Sequence, residues 1–446
     1  MVALGGARTG AATARPHGSA QGSVTETRAG WLLPLMLALF FTWGLATVLV
    51  DIITPKLKSL FALSYAEATL TQFCFFLAYA VISLPAGALV ARIGYLRGLV
   101  LGLLVMAAGS LMFTPAARIG VYPLFLAALF VMASGIAVLQ VAANPLVTGL
   151  GAPESAPSRL TLAQTFNSLG TTVGPAVGAW AILSRGPAAP ADPASLTPQA
   201  LEAARLAEAA VLQTPFLVIA GGLAVLAGVF WALRHRMGQE GGPDGAERSG
   251  SGIGLDLLRR PRLAFGALAI FLYVGAEVSI GTLMVSYLEQ RQVLAASPET
   301  AGHLLSFYWG GALVGRIVGS LALRRVRGAA ALAACALAAG GLATLSALTG
   351  GVVSGWSLLA VGLANAILFP TIFAMAIEGL GPRTAQGAGI VCVAIVGGAV
   401  VPVITGALAD RVGLQAALAA PIACYACIAL YGFVSLRGAK PEVATA

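Results

Sequence analysis

The chain alternates between long apolar stretches and shorter polar ones from residue 31 almost to its end. A helix that spans a bilayer needs about 20 predominantly apolar residues, and twelve stretches approach or exceed that length. The pattern therefore predicts an all-α polytopic membrane protein with twelve transmembrane helices, at 31–53, 68–90, 97–114, 121–149, 158–183, 213–234, 262–288, 301–322, 328–349, 353–378, 384–408 and 414–436.

The composition supports a membrane protein and argues against a soluble enzyme. Hydrophobic residues make up 58% of the 446 residues and charged residues 10%, whereas roughly 25% of the residues in a soluble domain are charged. The 55 glycines and 23 prolines are tolerated in membrane helices, where small residues allow backbones to pack closely. The chain carries no nucleotide-binding, hydrolase or zinc-peptidase motif, so we expect neither an enzyme nor a bound cofactor or metal.

The basic excess is explained by membrane topology rather than by a nucleic-acid partner. The formal net charge is +9, and if the N-terminus lies inside, 19 of the 26 lysines and arginines fall on the inner side of the membrane. Such a bias follows the positive-inside rule. It predicts that both termini are cytoplasmic and that the chain is surrounded by lipid, without a nucleic-acid partner.

The twelve predicted helices divide into two halves of six. A polar, glycine-rich segment at 235–261 separates them and is typical of a cytoplasmic linker. The prediction is an N-terminal bundle at 31–234 and a C-terminal bundle at 262–436, with a disordered leader at 1–30 and a cytoplasmic tail at 437–446. The fourth helix of each half carries a proline and is followed by a polar loop with an arginine. Such repetition is typical of transporters with two pseudo-symmetric bundles around a midplane site.

Four carboxamide side chains occur within strongly apolar stretches. Gln140 and Asn144 are four residues apart and Gln164 and Asn167 three apart, so each pair shares one helix face. A polar group that faces lipid costs several kcal/mol, so these side chains must face protein or a water-filled cavity. Carboxamides and aromatic rings together suit a sugar, which has hydroxyl edges and apolar faces. We therefore predict a sugar-binding site formed by Trp43, Gln72, Gln140, Asn144, Gln164, Asn167 and Asn365.

Two carboxylates occupy positions at which a charge is expensive. Asp51 ends the first predicted helix, and Glu277 lies near the centre of the seventh. An ionisable residue within a membrane segment is by default a functional hypothesis, so both are predicted to bind the coupling cation, a proton or sodium. The alternatives are that Asp51 marks the solvated outer end of its helix and that Glu277 makes a structural hydrogen bond.

Several of these side chains lie within longer, distinctive strings of residues. They include Phe40-Phe41-Thr42-Trp43-Gly44, Leu139-Gln140-Val-Ala-Ala-Asn144-Pro145, Arg159-Leu-Thr-Leu-Ala-Gln164-Thr-Phe166-Asn167-Ser168-Leu-Gly170 and Tyr273-Val-Gly-Ala-Glu277-Val-Ser-Ile-Gly281. The strings resemble the fucose:proton symporter family of the major facilitator superfamily, and within it the bacterial glucose/galactose permease branch. The resemblance covers nearly all of both halves.

The resemblance implies the major facilitator fold, transport by alternating access and an outline of the site. Asp51 matches the first-helix acid that the fucose symporter uses for proton coupling and sugar binding, and Gln164 and Asn167 match its cavity-lining carboxamides. Gln140 departs from the pattern, because the fucose symporter has a proton-transferring glutamate there and a glutamine cannot titrate. The resemblance therefore leaves three possibilities: Asp51 acts alone, Glu277 joins it, or the coupling ion is sodium.

Charged residues near the predicted cytoplasmic helix ends are candidates for gating. Arg92 follows the second helix in a segment that resembles the superfamily's loop motif, although Ala91 replaces its gate-latching aspartate. Arg316 is expected either to act in gating or to pair with backbone or lipid phosphate. Glu378, close in sequence to Arg383, is expected in a gate or surface ion pair.

Taken as a whole, the sequence predicts a cation-coupled symporter that imports a hexose such as glucose or galactose across a bacterial cytoplasmic membrane. Val48 replaces a polar cavity residue of the fucose symporter, which argues against fucose as the preferred sugar. The alternatives are a transporter of the same fold for N-acetylglucosamine, fucose or another small solute, a channel, and a sugar receptor that does not transport. We expect a monomer.

Overall fold

The computed structural model describes residues 32–48, 65–119, 121–183, 213–234 and 252–438, and every regular element in these ranges is helical. Each of the twelve predicted spans corresponds to a helix, so the all-α prediction is confirmed. The helices are α1 Leu32–Val48, α2 Tyr65–Ile93, α3 Tyr95–Ile119, α4 Tyr122–Thr148, α5 Ala156–Leu183, α6 Gln213–Leu233, α7 Pro261–Leu288, α8 Pro298–Ala322, α9 Gly328–Leu348, α10a Gly351–Asn365, α10b Leu368–Ile377, α11a Thr384–Val393, α11b Gly397–Val412 and α12 Ala419–Gly438.

Two of the predicted spans are interrupted rather than continuous. The tenth span breaks between α10a and α10b, and the eleventh contains a short 3-10 turn between α11a and α11b. Pro370 explains the first break, because proline lacks an N–H and its ring clashes with the carbonyl four residues earlier, that of Ala366. The apolar pattern continues through both interruptions, so it could not reveal them.

The polarity of α5 distinguishes it from the other spans. Ten spans of the described chain are long and apolar enough to cross a membrane, whereas α1 is shorter and α5 does not reach that apolarity. The polar side chains of α5 are nevertheless buried, among them Thr161, Gln164 and Ser168. Their burial agrees with the expectation that polar groups in this stretch face protein.

The helices pack in two groups whose members follow one another in sequence. In the first half α3 packs on α4 and α6, and α2 packs on α4; in the second, α7 packs on α11b and α12, and α9 on α10a and α12. Glycine permits the closest approaches. A Cβ at Gly44 of α1 would lie 2.1 Å from the carbonyl oxygen of Asn167, and one at Gly362 of α10a would lie 2.0 Å from that of Tyr308. The predicted domain limits themselves stay a prediction.

One end of the molecule carries most of the described arginines, and we call it the arginine-rich end. It is formed by the last turns of α2, α6, α8 and α12 and the first turns of α3, α5, α7, α9 and α11a. The arginines there are Arg92, Arg97, Arg159, Arg234, Arg259, Arg260, Arg262, Arg324, Arg325, Arg327, Arg383 and Arg437.

The last part of the predicted linker is attached to this end. A 3-10 helix, Leu255–Arg259, precedes α7. Two nitrogens of Arg383 donate to the carboxylate oxygens of Asp256 at 2.5 and 2.6 Å, and this guanidinium holds the pKa of Asp256 below its usual value. Gln386 also donates to the carbonyl of Gly252 at 2.8 Å. The predicted leader at 1–30, linker segment at 235–251 and most of the tail lie outside the described residues.

The ion pair expected at Glu378 forms, although its sequence neighbour Arg383 is not the partner. Glu378 pairs with Arg262 at the start of α7, and Arg383 pairs instead with Asp256. Between Glu378 and Arg383 the chain turns through two glycines with positive φ, Gly379 at 75° and Gly381 at 55°. This turn carries the two side chains to different neighbours, which their separation in sequence could not show.

Candidate substrate chamber

The two bundles touch along the half of the molecule nearest the arginine-rich end. In α2, a Cβ at Gly87 would lie 2.9 Å from the carbonyl oxygen of Ala385 in α11a. In α5, the Ser158 hydroxyl donates to the Ser320 carbonyl of α8 at 2.6 Å. We call these two contacts, α2 on α11a and α5 on α8, the inner closure.

The inner closure extends to the middle of the helices, where the exposure of the side chains changes. Phe76 of α2 contacts Gly398 of α11b, and Arg316 of α8 donates to the Ser168 hydroxyl of α5. One turn further from the arginine-rich end, on the same helix faces, Phe73 is 54% exposed and Thr172 is also exposed. The space between the bundles therefore opens toward the opposite end, and we call this space the chamber.

Gln140 and Asn144 of α4 lie beneath the chamber floor, on the side of α4 near the inner closure. Gln140 is 8% exposed and donates to the Tyr79 hydroxyl of α2 at 2.9 Å. Asn144 is fully buried, and within the described part of the chain neither of its amide atoms has a hydrogen-bond partner; the Gln140 carbonyl oxygen also lacks one there. A buried polar group without a partner costs about 1–3 kcal/mol, so the closed arrangement is incompletely satisfied here.

The other predicted sugar ligands of the first bundle are placed at different depths. Asn167 is half-buried beside the floor, where its amide nitrogen donates to the Phe40 carbonyl at 3.2 Å. Gln164, one turn nearer the arginine-rich end, is 6% exposed. Gln72 is exposed on the chamber face of α2, whereas Trp43 is buried with its ring 5.3 Å from that of Phe40.

In the second bundle, Glu277 is the centre of a hydrogen-bonded group. Tyr273 donates its hydroxyl to the Glu277 carboxylate at 2.7 Å. Tyr308 donates to the Glu277 backbone carbonyl at 3.2 Å, and the amide nitrogen of Asn365 donates to Tyr308 at 3.0 Å. The hydroxyl of Tyr425 in α12 is buried beside the same amide and interacts with it. The carboxylate therefore lies against a buried group of hydroxyls and an amide that extends into α10a and α12.

Arg316 joins the bundles and also acts on this group. Its Nε donates to the Ala366 carbonyl at 3.3 Å, the carbonyl released by the break in α10, and its Nη1 donates to Ser168. Its charge also attracts the carboxylate of Glu277. Of the two predicted gating arginines, Arg316 thus lies at the floor of the chamber, whereas Arg92 is exposed at the arginine-rich end.

The structure also identifies residues that the sequence pattern did not single out. Tyr79, Ser168 and Tyr425 contribute hydroxyls at the floor or in the polar group around Glu277. Tyr79 follows Gln72 on the same face of α2, so helical spacing in the sequence could have identified Tyr79 as a candidate.

Asp51, the other predicted coupling carboxylate, lies outside the described residues. No group of three or more His, Cys, Asp or Glu side chains in the described ranges could hold a metal ion.

Comparison with known proteins assigns the chain to a family. The model of the Major Facilitator Superfamily matches residues 34–395. The chain belongs to this superfamily. It is therefore a multi-pass membrane transporter and not an enzyme, and the predicted fold is confirmed.

Individual relatives span nearly the whole chain. A glucose/galactose transporter of Brucella abortus is 48% identical over 408 residues, which cover 92% of this chain and 95% of the relative. The L-fucose-proton symporter of Escherichia coli is 34% identical over 406 residues, 89% and 91% of the two chains. A crystal structure of the transporter FucP in the outward conformation has a TM-score of 0.83 at 31% identity and covers 91% of this chain and 99% of that one. The resemblance read from the sequence is confirmed.

The Arg316–Ser168 contact predicts a measurable effect on the inner closure. Hydrogen bonds to charged groups contribute about 1.5–3 kcal/mol, so Ser168→Ala should raise the population open at the arginine-rich end roughly tenfold or more. Cys392 is a native reporter, because it is fully buried in α11a beside Tyr79 of α2. With the other four cysteines replaced by alanine, maleimide should label Cys392 correspondingly faster in the Ser168→Ala variant.

Ser110→Ala serves as the matched control, since Ser110 donates to Met106 within its own helix. It should leave the labelling rate unchanged, and both variants should retain the parent melting temperature. Equal labelling of Cys392 in the Ser168 and Ser110 variants would show that Arg316 does not hold the bundles together.

Proposed function

We propose that this transporter imports a hexose, with glucose or galactose the preferred class, by symport with protons. One observation carries the proposal: Arg316 of the second bundle attracts the Glu277 carboxylate and donates to Ser168 of the first bundle, the residue that follows Asn167, at the closed side of the chamber. The names of the relatives support the substrate class. The inner membrane of a bacterium, cytoplasmic termini and a monomeric state belong to the same proposal.

The sugar is proposed to bind above the floor and to contact both bundles. Asn167 and Gln72 offer carboxamide oxygens and nitrogens to its hydroxyls, and Gln164 lies one turn below. Trp309 of α8 is 47% exposed and packs against Gly281 of α7, so it supplies an aromatic face for the sugar ring. Trp43, which the sequence placed in the site, is buried and would act by supporting α1 instead.

Glu277 is proposed to carry the coupling proton. Its carboxylate accepts from the Tyr273 hydroxyl and lies within the field of the Arg316 guanidinium. A sodium ion requires several oxygen ligands, whereas a proton needs one carboxylate oxygen. The charge of Arg316 opposes the binding of either cation, so the number of ligands is what favours the proton. Asp51, although outside the described residues, is the second candidate carrier on sequence grounds.

Arg316 provides the connection between protonation and movement. While Glu277 is ionised, it attracts Arg316, which at the same time binds Ser168 across the bundle boundary. Protonation of Glu277 removes that attraction and changes how the guanidinium is held. We propose that the loaded transporter releases the inner closure through this step, and that the unsatisfied amides of Gln140 and Asn144 then become hydrated along the inward path.

The proposal is tested directly by sugar uptake into proteoliposomes that contain the purified protein. Labelled glucose and galactose should accumulate when the outside is acidic, and an uncoupler should abolish accumulation. A sodium gradient alone should have no effect, and N-acetylglucosamine and fucose should compete weakly. Accumulation driven by sodium would overturn proton coupling, and sugar binding without counterflow would overturn transport.

Asn167→Ala should weaken sugar binding with little effect on the fold. The loss of a buried partner of a sugar hydroxyl costs about 1–3 kcal/mol, so the apparent KM should rise roughly tenfold. Gln292→Ala is the control, because Gln292 is an exposed carboxamide that bonds only to Gln290 among the described contacts. An unchanged KM in the Asn167 variant would place the sugar elsewhere.

The two candidate proton carriers can be separated by neutral variants. Glu277→Gln should abolish accumulation against a gradient while sugar counterflow persists, because a glutamine can bond to Tyr273 but cannot release a proton. Asp51→Asn should behave in the same way. Glu299→Gln, an exposed carboxylate change in the first turn of α8, should leave accumulation intact. Accumulation by the Glu277 variant would leave Asp51 as the sole carrier.

A further inference from the structure

A lipid-facing groove between α7 and α12 is independent of the chamber. It has a volume of about 660 Å³, within the range of about 300–1,000 Å³ typical of ligand pockets. Its walls include Phe265, Leu268 and Leu430, each at least half exposed on the outside of the bundle. The groove therefore faces the surrounding bilayer.

The two ends of the groove differ in chemistry. Arg262, Glu378 and Ser435 form its mouth at the arginine-rich end, whereas the residues deeper along it are apolar. Along α7 the lining extends from Pro261 to Leu272, eleven residue steps that correspond to about 16 Å at 1.5 Å per step. This is close to one leaflet of a hydrocarbon core roughly 30 Å thick. The groove thus has the dimensions of a single acyl chain.

The charge at the mouth favours an anionic headgroup. Arg262 is half exposed despite its ion pair with Glu378, so its guanidinium has further donors to offer. Three more arginines lie exposed on the adjoining segments, namely Arg259, Arg260 and Arg437. Basic pockets between transmembrane helices on the cytoplasmic side bind anionic lipid headgroups.

We propose that this groove binds an anionic phospholipid, with its phosphate on Arg262 and one acyl chain along α7 and α12. The proposal depends on the presence of phospholipid and not on the sugar or the coupling ion. A free phosphate anion would use the same mouth but would not occupy the apolar length of the groove.

Cys427 provides a native reporter, because it lines the groove and is exposed. With Cys74 and Cys335 changed to serine, the rate of maleimide labelling at Cys427 can be measured in detergent micelles. Phosphatidylglycerol should slow the labelling about fivefold relative to the same fraction of phosphatidylcholine, the effect expected of one basic residue at an anionic lipid. Inorganic phosphate alone should not slow it.

Two variants at the mouth make the test specific. Arg262→Gln should remove the difference between the two lipids. Glu378→Gln breaks the same ion pair but keeps the arginine, and should preserve or increase the difference. Equal slowing by both lipids, protection by inorganic phosphate, or an unchanged difference in the Arg262 variant would overturn the proposal.

Discussion

A polar group inside a bilayer must find its partners within the protein, and this constraint organises the interior of the transporter. Such a group costs several kcal/mol when it faces hydrocarbon, so the polar residues of α2, α4 and α5 turn away from lipid. The surface available to them is the boundary between the two bundles. The residues proposed for binding, gating and coupling are consequently concentrated on one shared surface, where each can affect the others.

The break in α10 shows how a local backbone restriction serves that surface. Pro370 prevents a continuous helix and leaves the Ala366 carbonyl to accept from Arg316. The same guanidinium reaches Ser168 in the other bundle and attracts Glu277. The ring of Pro370 thereby frees the carbonyl that positions Arg316, and Arg316 connects the two bundles.

The closed half of the molecule is not fully stabilised, and this suits a protein that must alternate. Among the described residues, the amide of Asn144 and the carbonyl oxygen of Gln140 have no hydrogen-bond partner while the inner closure is formed. Hydration on opening would recover free energy that the closed state lacks, and a small difference between the two states is what allows a ligand to shift their populations. If protein groups formed hydrogen bonds to all of these amide atoms, the closed state would be more stable and the transporter would remain in it.

The lengths of the apolar stretches alone were sufficient to determine the number of spans and their order, since these depend on local transfer free energies. The same reasoning marked Glu277 and the carboxamides as interior groups. Only the tertiary structure decided that Trp43 is buried against Phe40, that Glu378 pairs with Arg262, and that Arg316 binds Ser168 and Ala366. Glu378 and Arg262 are 116 positions apart in the sequence, and Arg316 and Ser168 are 148 positions apart. Their partners depend on how whole helices pack, which no local pattern of residues records.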